Sequence, residues 1–141
     1  MNNYLYNIPS DWNNFISNEN YLPNPTPSLV SPKEGLQKGN LFSNLYEPYK
    51  NYRYKELVPS NKYEELLYNL LKYKFALNEL NLYLDIYPNN LEYINLFKKY
   101  QIEEKRICNE LEKNYGPITL DSDYLKEPWN WLNSWPWESD K

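Results

Sequence analysis

Apolar residues recur at steps of three and four in two stretches that contain no proline, residues 60–87 and 89–116. This spacing places apolar side chains on one side of an α-helix. The first stripe comprises Tyr63, Leu66, Leu70, Tyr73, Leu77, Leu80, Leu84 and Tyr87. The second comprises Ile94, Phe97, Tyr100, Ile107, Cys108, Leu111 and Tyr115. Each stretch is therefore predicted to form an amphipathic helix.

Capping residues mark the start of both predicted helices. Ser60 or Asn61 can cap the first, and Glu64 stands three residues after Asn61, which is the spacing of a capping box. Asn89 and Glu92 repeat that spacing before the second helix. We therefore predict that Asn89 caps the second helix.

A turn and a breaker define the ends of the helices. The sequence YPNN, residues 87–90, forms the turn, and the second helix is predicted to end at Tyr115, before Gly116 and Pro117. Glycine tolerates a positive φ at a helix C-terminus, and proline cannot continue the helix. The predicted helices span about 61–87 and 90–115, and a turn this short folds them into an antiparallel hairpin.

The antiparallel arrangement predicts which residues face each other. Folding the chain about the turn pairs positions whose numbers add to roughly 178, so Lys74 lies opposite Glu104. Each is a charged residue within an apolar stripe. We interpret the two as an interhelical ion pair that sets the register, with a catalytic acid–base pair as the alternative.

The first helix carries a second apolar line, on the side opposite the first stripe. A helix that is apolar on two sides is normally covered on two sides. The N-terminal arm, the C-terminal tail or another chain could cover it. The predicted contact residues are Tyr68, Phe75 and Leu82, with Leu71 and Ile86 beside them.

The segment before the hairpin contains one organised island, SPKEGLQKG. Ser31 as a cap, Pro32 at the first helical position and Gly39 after the end predict a short helix near 32–38. An apolar strip follows and either packs on the hairpin or binds a partner. The strip residues are Leu41, Phe42, Leu45 and Tyr46.

The C-terminal end, EPWNWLNSWPWESDK, carries four of the five tryptophans. Two prolines, Pro128 and Pro136, disfavour a regular helix there. Tryptophan contributes strongly at interfaces, so we interpret the segment as a strap that docks on a partner. The alternative is a strap that covers its own hairpin. The four residues are Trp129, Trp131, Trp135 and Trp137.

Composition excludes several classes of function. The chain is 24% charged with a net charge of -4 and has no basic patch, which argues against nucleic-acid binding. It contains no run of eighteen apolar residues and no basic start followed by an apolar run, so we expect neither a membrane span nor a signal peptide.

Catalytic chemistry also has few candidates. The chain has no histidine and one cysteine, Cys108, which lies on an apolar stripe as a small core residue would. The three glycines are interpreted as turn or cap residues, which leaves none for a phosphate loop. We expect no catalytic residue, no cofactor and no metal site, and hence no enzyme.

The predicted fold class is all-α: an antiparallel two-helix hairpin with a largely irregular N-terminal arm and an extended Trp-rich C-terminal tail. The arm covers residues 1–59, the hairpin 60–116 and the tail 117–141. A two-helix hairpin of this length buries little surface alone. We therefore expect the arm, the tail or a partner to complete its core.

Two resemblances to known families follow from these motifs. The stretch FALNELNLYLD, the YPNN turn, YGPITL and the WPWE ending occur in the order typical of the spore coat protein family CotJB, over about residues 61–138. The stretch SPKEGLQKGNLFSNLYEPY, within about residues 28–50, resembles the spore coat associated family CotJA. Asn40 and Ser43 depart from the CotJA pattern, in which Thr and Pro are expected.

The resemblance implies a non-enzymatic structural or assembly component of the inner endospore coat, synthesised in the mother-cell cytoplasm. It implies other coat proteins as partners, among them the manganese catalase-like CotJC. The alternative that it implies is an accessory subunit that positions or regulates that enzyme. A homo-oligomer is possible in either case, and neither nucleic acid nor membrane is expected as a partner.

Overall fold

A computed structural model describes residues 28–45, 47, 50–51 and 53–132. Tyr46, Trp135 and Trp137, which the sequence singles out, lie outside the described residues. The described part is helical, with one isolated antiparallel β-bridge between Leu29 and Phe42. Its helices are α1 (Pro32–Lys38), α2 (Lys62–Ile86) and α3 (Leu91–Tyr115), with short 3-10 turns at Ser43–Leu45 and Asn130–Leu132.

The start of α2 uses the predicted cap. The backbone N–H of Glu64 donates to the Asn61 side chain at 2.8 Å. The Glu64 carboxylate accepts from the backbone N–H of Ser60 at 2.6 Å, and this hydrogen bond lowers the pKa of Glu64. The capping box is therefore shared, because Asn61 supplies the acceptor and Ser60 supplies the N–H.

The prediction that Asn89 caps the second helix is wrong by one residue. Asn90 is the cap, and its side chain accepts from the backbone N–H of Tyr93 at 3.1 Å. The Asn90 backbone N–H closes the turn onto the Tyr87 carbonyl at 3.2 Å, so Asn89 remains inside the turn. The turn is therefore one residue longer than the spacing between Asn89 and Glu92 indicates.

The two long helices pack antiparallel in the predicted register. The rings of Tyr63 and Tyr115 meet edge to face, with centroids 5.0 Å apart. Further along the hairpin, Lys74 Nζ lies 3.9 Å from Glu104 Oε1. α3 ends at Gly116, which has a φ of 99° as the sequence predicts, and its N–H donates to the Glu112 carbonyl at 2.9 Å.

Near the turn, the core is completed by residues from outside the hairpin. We call this the turn-end cluster: Leu41, Phe42, Ala76, Leu80, Tyr83 and Tyr93. The segment after α1 is held against the preceding chain by the Val30 N–H, which donates to the Leu41 carbonyl at 3.0 Å. Leu41 has no exposed surface. The arm therefore forms part of the hairpin core.

At the other end, where the helices start and finish, lies a second core. We call this the open-end cluster: Leu66, Leu70, Ile107 and Leu111. Ile118, in the segment after α3, packs against it. The chain beyond Gly116 therefore folds back over the hairpin.

Gly35 corrects the interpretation that every glycine serves a turn or a cap. It lies inside α1 and is buried. A Cβ at this position would lie 3.3 Å from the Cα of Leu41 and 3.5 Å from Cε1 of Phe75. Gly35 thus allows α1 to approach both its own following segment and α2 closely.

Candidate partner-binding surfaces

The apolar strip after α1 divides between core and surface. Leu41 and Phe42 are buried in the turn-end cluster, where the Phe42 ring lies 5.4 Å from that of Tyr83. The Leu41 N–H also faces a Glu79 carboxylate oxygen at 3.4 Å. Leu45 is exposed. The strip was expected either to pack on the hairpin or to bind a partner, and Leu41 and Phe42 pack on the hairpin.

The second apolar line of α2 is likewise covered only in part. Phe75 is half-buried beside Gly35 of α1. Tyr68 is half-buried too, with the Lys72 ammonium 5.3 Å from its ring centroid. Its hydroxyl is buried and has no hydrogen-bond partner among the described residues. Leu82, by contrast, is 55% exposed.

Several apolar residues on this side of α2 nevertheless stay exposed. Leu71 is 46% exposed and Ile86 is 60% exposed, and both lie on the same side of the helix as Leu82. Phe75 lies between them along the helix. We call these four residues the α2 row: Leu71, Phe75, Leu82 and Ile86. The row faces away from α3, because the residues that contact α3 lie on the opposite side.

Of the two tryptophans in the described part of the C-terminal segment, one is exposed to solvent. Trp129 is 57% exposed, whereas Trp131 is half-buried. Asn130, between them, closes a loop: its amide donates to the Tyr124 carbonyl at 2.9 Å, and its Oδ1 accepts from the Lys126 N–H at 2.9 Å. We call these two hydrogen bonds the Asn130 clamp. The clamp holds the backbone on which Trp129 stands.

The Lys74–Glu104 pair lies close to the cysteine of the chain, Cys108. At 3.9 Å the pair is at the long limit for an ion pair. Burial raises the pKa of the nearby Cys108 thiol, and the Glu112 and Glu104 carboxylates raise it further. A raised pKa keeps the thiol protonated at neutral pH, whereas a nucleophilic cysteine requires a lowered one.

The sequence reasoning missed Glu112, which is only 5% exposed. Its carboxylate accepts from the backbone N–H of Ile118 at 3.0 Å. This bond ties the segment after α3 to the open-end cluster. Two features of the sequence could have indicated this burial: Glu112 follows Leu111 of the predicted stripe, and it stands four residues before Gly116. A carboxylate at such a position is usually solvated.

Two kinds of site are absent from the part of the chain that the structure describes. It holds no group of three or more His, Cys, Asp or Glu side chains placed to bind a metal ion. No helix among the same residues has the length and apolar run needed to cross a bilayer. The α2 row and Trp129 are two of the exposed apolar surfaces among the described residues.

Comparison with known proteins covers the hairpin and the tail. The profile of the family described as CotJB protein matches residues 64–138, which is more than half of the chain. The match does not reach residues 28–50, so the CotJA-like character of that segment stays a prediction. No curated protein and no solved structure is detectably similar to the chain. The chain belongs to the CotJB protein family, and this membership associates it with the spore coat.

Proposed function

We propose that this protein is a non-enzymatic structural and assembly component of the inner endospore coat that acts through protein–protein contacts. The observation that supports this most is Trp129, an exposed tryptophan on a hydrogen-bonded loop within the family match. Its expected partners are other coat proteins, including a manganese catalase-like one. Synthesis in the mother-cell cytoplasm belongs to the same proposal.

An exposed tryptophan on an ordered loop suits binding for two reasons. Its side chain can bury on the order of 200 Å² of mainly apolar surface, and tryptophan is enriched among the residues that dominate interfaces. The Asn130 clamp orders the loop before binding, which lowers the entropy lost on association. Trp129 therefore serves as an anchor residue for a partner.

The test is Trp129→Ala in the full chain, produced in sporulating cells. Leu120→Ala is the matched control, because Leu120 is an exposed apolar residue of the same C-terminal segment. We expect Trp129→Ala to reduce recovery in purified coats by about tenfold or more, the loss typical of an interface anchor, with unchanged helicity and melting temperature. Leu120→Ala should behave as the wild type. Equal recovery of both variants would contradict the proposal.

The proposed coat role has two forms, which differ in stoichiometry. A scaffold would be present in purified coats in excess over the catalase-like protein, whereas an accessory subunit that positions or regulates that enzyme would be present in equal amount. Quantitative mass spectrometry of coats measures this ratio. We expect an excess, and the isolated chain should show neither catalase nor hydrolase activity.

A further inference from the structure

The residues of the α2 row are spaced symmetrically about the middle of the row. Its residues are separated by four, seven and four positions, and the midpoint falls between Asn78 and Glu79. At 100° per residue, all four lie within an arc of about 60° on α2. A surface with this symmetry matches itself when a second helix runs in the opposite direction.

From this we infer that a second copy of the protein docks on the α2 row, with the two α2 helices antiparallel about a two-fold axis. In that arrangement Leu71 lies against Ile86 of the second copy, and Phe75 lies against Leu82. Every apolar residue of the row then meets an apolar residue. Such an interface is isologous, because both copies contribute the same patch. The inference stands independently of the coat assignment.

Two polar residues lie nearest the axis, Asn78 and Glu79, one on each edge of the row. The Glu79 carboxylate faces the Leu41 N–H of its own chain at 3.4 Å. Asn78 is exposed and lies on the edge of the row, next to the midpoint. The two-fold axis brings Asn78 close to Asn78 of the second copy, and each amide offers both a donor and an acceptor. A single Asn within an apolar helical seam is a known way of specifying register and oligomeric state.

Charges beside the row favour the antiparallel direction. Lys74 and Asp85 lie on the same flank of α2, about 20° apart around the helix. In an antiparallel pair the same flanks meet, which brings Lys74 within about 3 Å along the axis of Asp85 of the second copy. Lys74 is 44% exposed beside Glu104, so its ammonium is accessible to a further carboxylate.

A parallel pair would place opposite flanks together instead. Lys72 and Lys74 lie on opposite flanks at nearly the same height along α2, so the two copies would set Lys72 against Lys74. Two lysine ammonium groups placed side by side repel each other and oppose association. The antiparallel pair avoids this repulsion.

The size of the row sets the expected affinity. It extends about 22 Å along α2 at 1.5 Å per residue. A strip of this length and one helix wide buries less than the roughly 800 Å² per partner of a standard interface, so we expect a dimer with a Kd on the order of micromolar.

The association test is analytical ultracentrifugation of the full chain over a range of concentrations. We expect a reversible monomer–dimer equilibrium, and Leu82→Lys or Ile86→Lys should raise the Kd about tenfold or more with unchanged circular dichroism. Ile102→Lys is the matched control, because Ile102 is an exposed apolar residue of α3 outside the row. It should leave the Kd unchanged.

The orientation test is disulfide trapping in a Cys108→Ala background. We expect Asn78→Cys to cross-link with itself, and Leu71→Cys to cross-link with Ile86→Cys only when the two proteins are mixed. Cross-linking of Leu71→Cys alone would show a parallel pair and overturn the inference. A chain that stays monomeric at hundreds of micromolar would also overturn it. So would a monomer that Leu82→Lys strongly destabilises, because the row would then be covered by the chain's own segments.

Discussion

The two ends of the hairpin are closed by different parts of the chain and by different chemistry. At the turn end, Leu41 and Phe42 come from a segment before the hairpin and insert apolar side chains between α2 and α3. At the open end, the chain after α3 folds back, with Ile118 packing on the core and its N–H donating to the buried Glu112. One closure is apolar, and the other depends on a hydrogen-bonded carboxylate.

The difference shows that two 25-residue helices do not complete a core by themselves. Two packed helices enclose only one strip of apolar surface, and both ends of this strip would otherwise face water. The open end uses the segment that directly follows α3, whereas the turn end uses Leu41 and Phe42, which are distant from it along the chain. Stability should therefore depend on residues outside the helices as strongly as on residues within them.

The largest effects are expected at two fully buried leucines, one at each end of the hairpin. Leu41→Ala should lower the free energy of unfolding by about 2–5 kcal/mol, the range for a leucine that leaves a cavity in a core. Leu111→Ala, at the open end, should cost a similar amount, because both side chains are fully buried. Urea denaturation measures both values.

Leu45→Ala is the control for that pair, since Leu45 belongs to the same strip but is exposed. It should change the free energy of unfolding by no more than about 0.5 kcal/mol. If Leu41→Ala were equally mild, the arm would not be part of the core, and the comparison of the two ends would fail.

At the open end, Glu112→Ala should cost about 1–3 kcal/mol, because the half-buried Ile118 N–H loses its acceptor. Glu112→Gln should cost less, since its amide oxygen can still accept that hydrogen bond. Glu110→Ala is the control, because the Glu110 carboxylate makes a surface ion pair with Arg106, worth about 0.5 kcal/mol. A Glu112→Gln variant as unstable as Glu112→Ala would mean that the charge matters more than the acceptor.

Gly35→Ala should cost about 1 kcal/mol in unfolding free energy. Alanine favours a helix over glycine by about 0.5–1 kcal/mol, but the added Cβ would press on Leu41 at 3.1 Å from its Cδ1. The double variant Gly35→Ala/Leu41→Ala should cost less than the sum of the two single variants, because truncating Leu41 removes that close contact. Additive costs would show that the two residues do not press on each other.

The smallest effect is expected between the two ends, at the ion pair. Lys74→Ala should lower the free energy of unfolding by less than about 1 kcal/mol, because the pair is partly exposed and its atoms are 3.9 Å apart. Chemical denaturation at low and high salt measures it. A loss above about 2 kcal/mol would mean that the register depends on this pair rather than on the apolar stripes.

Features that depend on neighbouring positions could be predicted from the sequence. Helix spacing, the Asn61 cap and the Gly116 terminus each follow from residues within one or two turns of each other. The register between the helices was also predictable, because a short turn leaves an antiparallel hairpin only one matched alignment of its apolar stripes. Lys74 and Glu104 meet for that reason.

Features that depend on distant segments could not be predicted in the same way. The tight packing of Gly35 arises because Leu41 and Phe75 converge on α1, and no local pattern marks that position. The cap at Asn90 depends on how the turn closes onto Tyr87, which two adjacent asparagines leave ambiguous.

The sequence by itself therefore determined the two long helices, their antiparallel pairing and the excess of apolar surface that two helices cannot bury. Periodicity and caps are local, so they can be read without knowing the fold. Only the tertiary structure decided how that excess is divided: Leu41 and Phe42 go into the core, Glu112 is buried, and Leu82, Ile86 and Trp129 stay exposed. This division depends on which distant segments reach each surface, and chain geometry rather than residue type sets that.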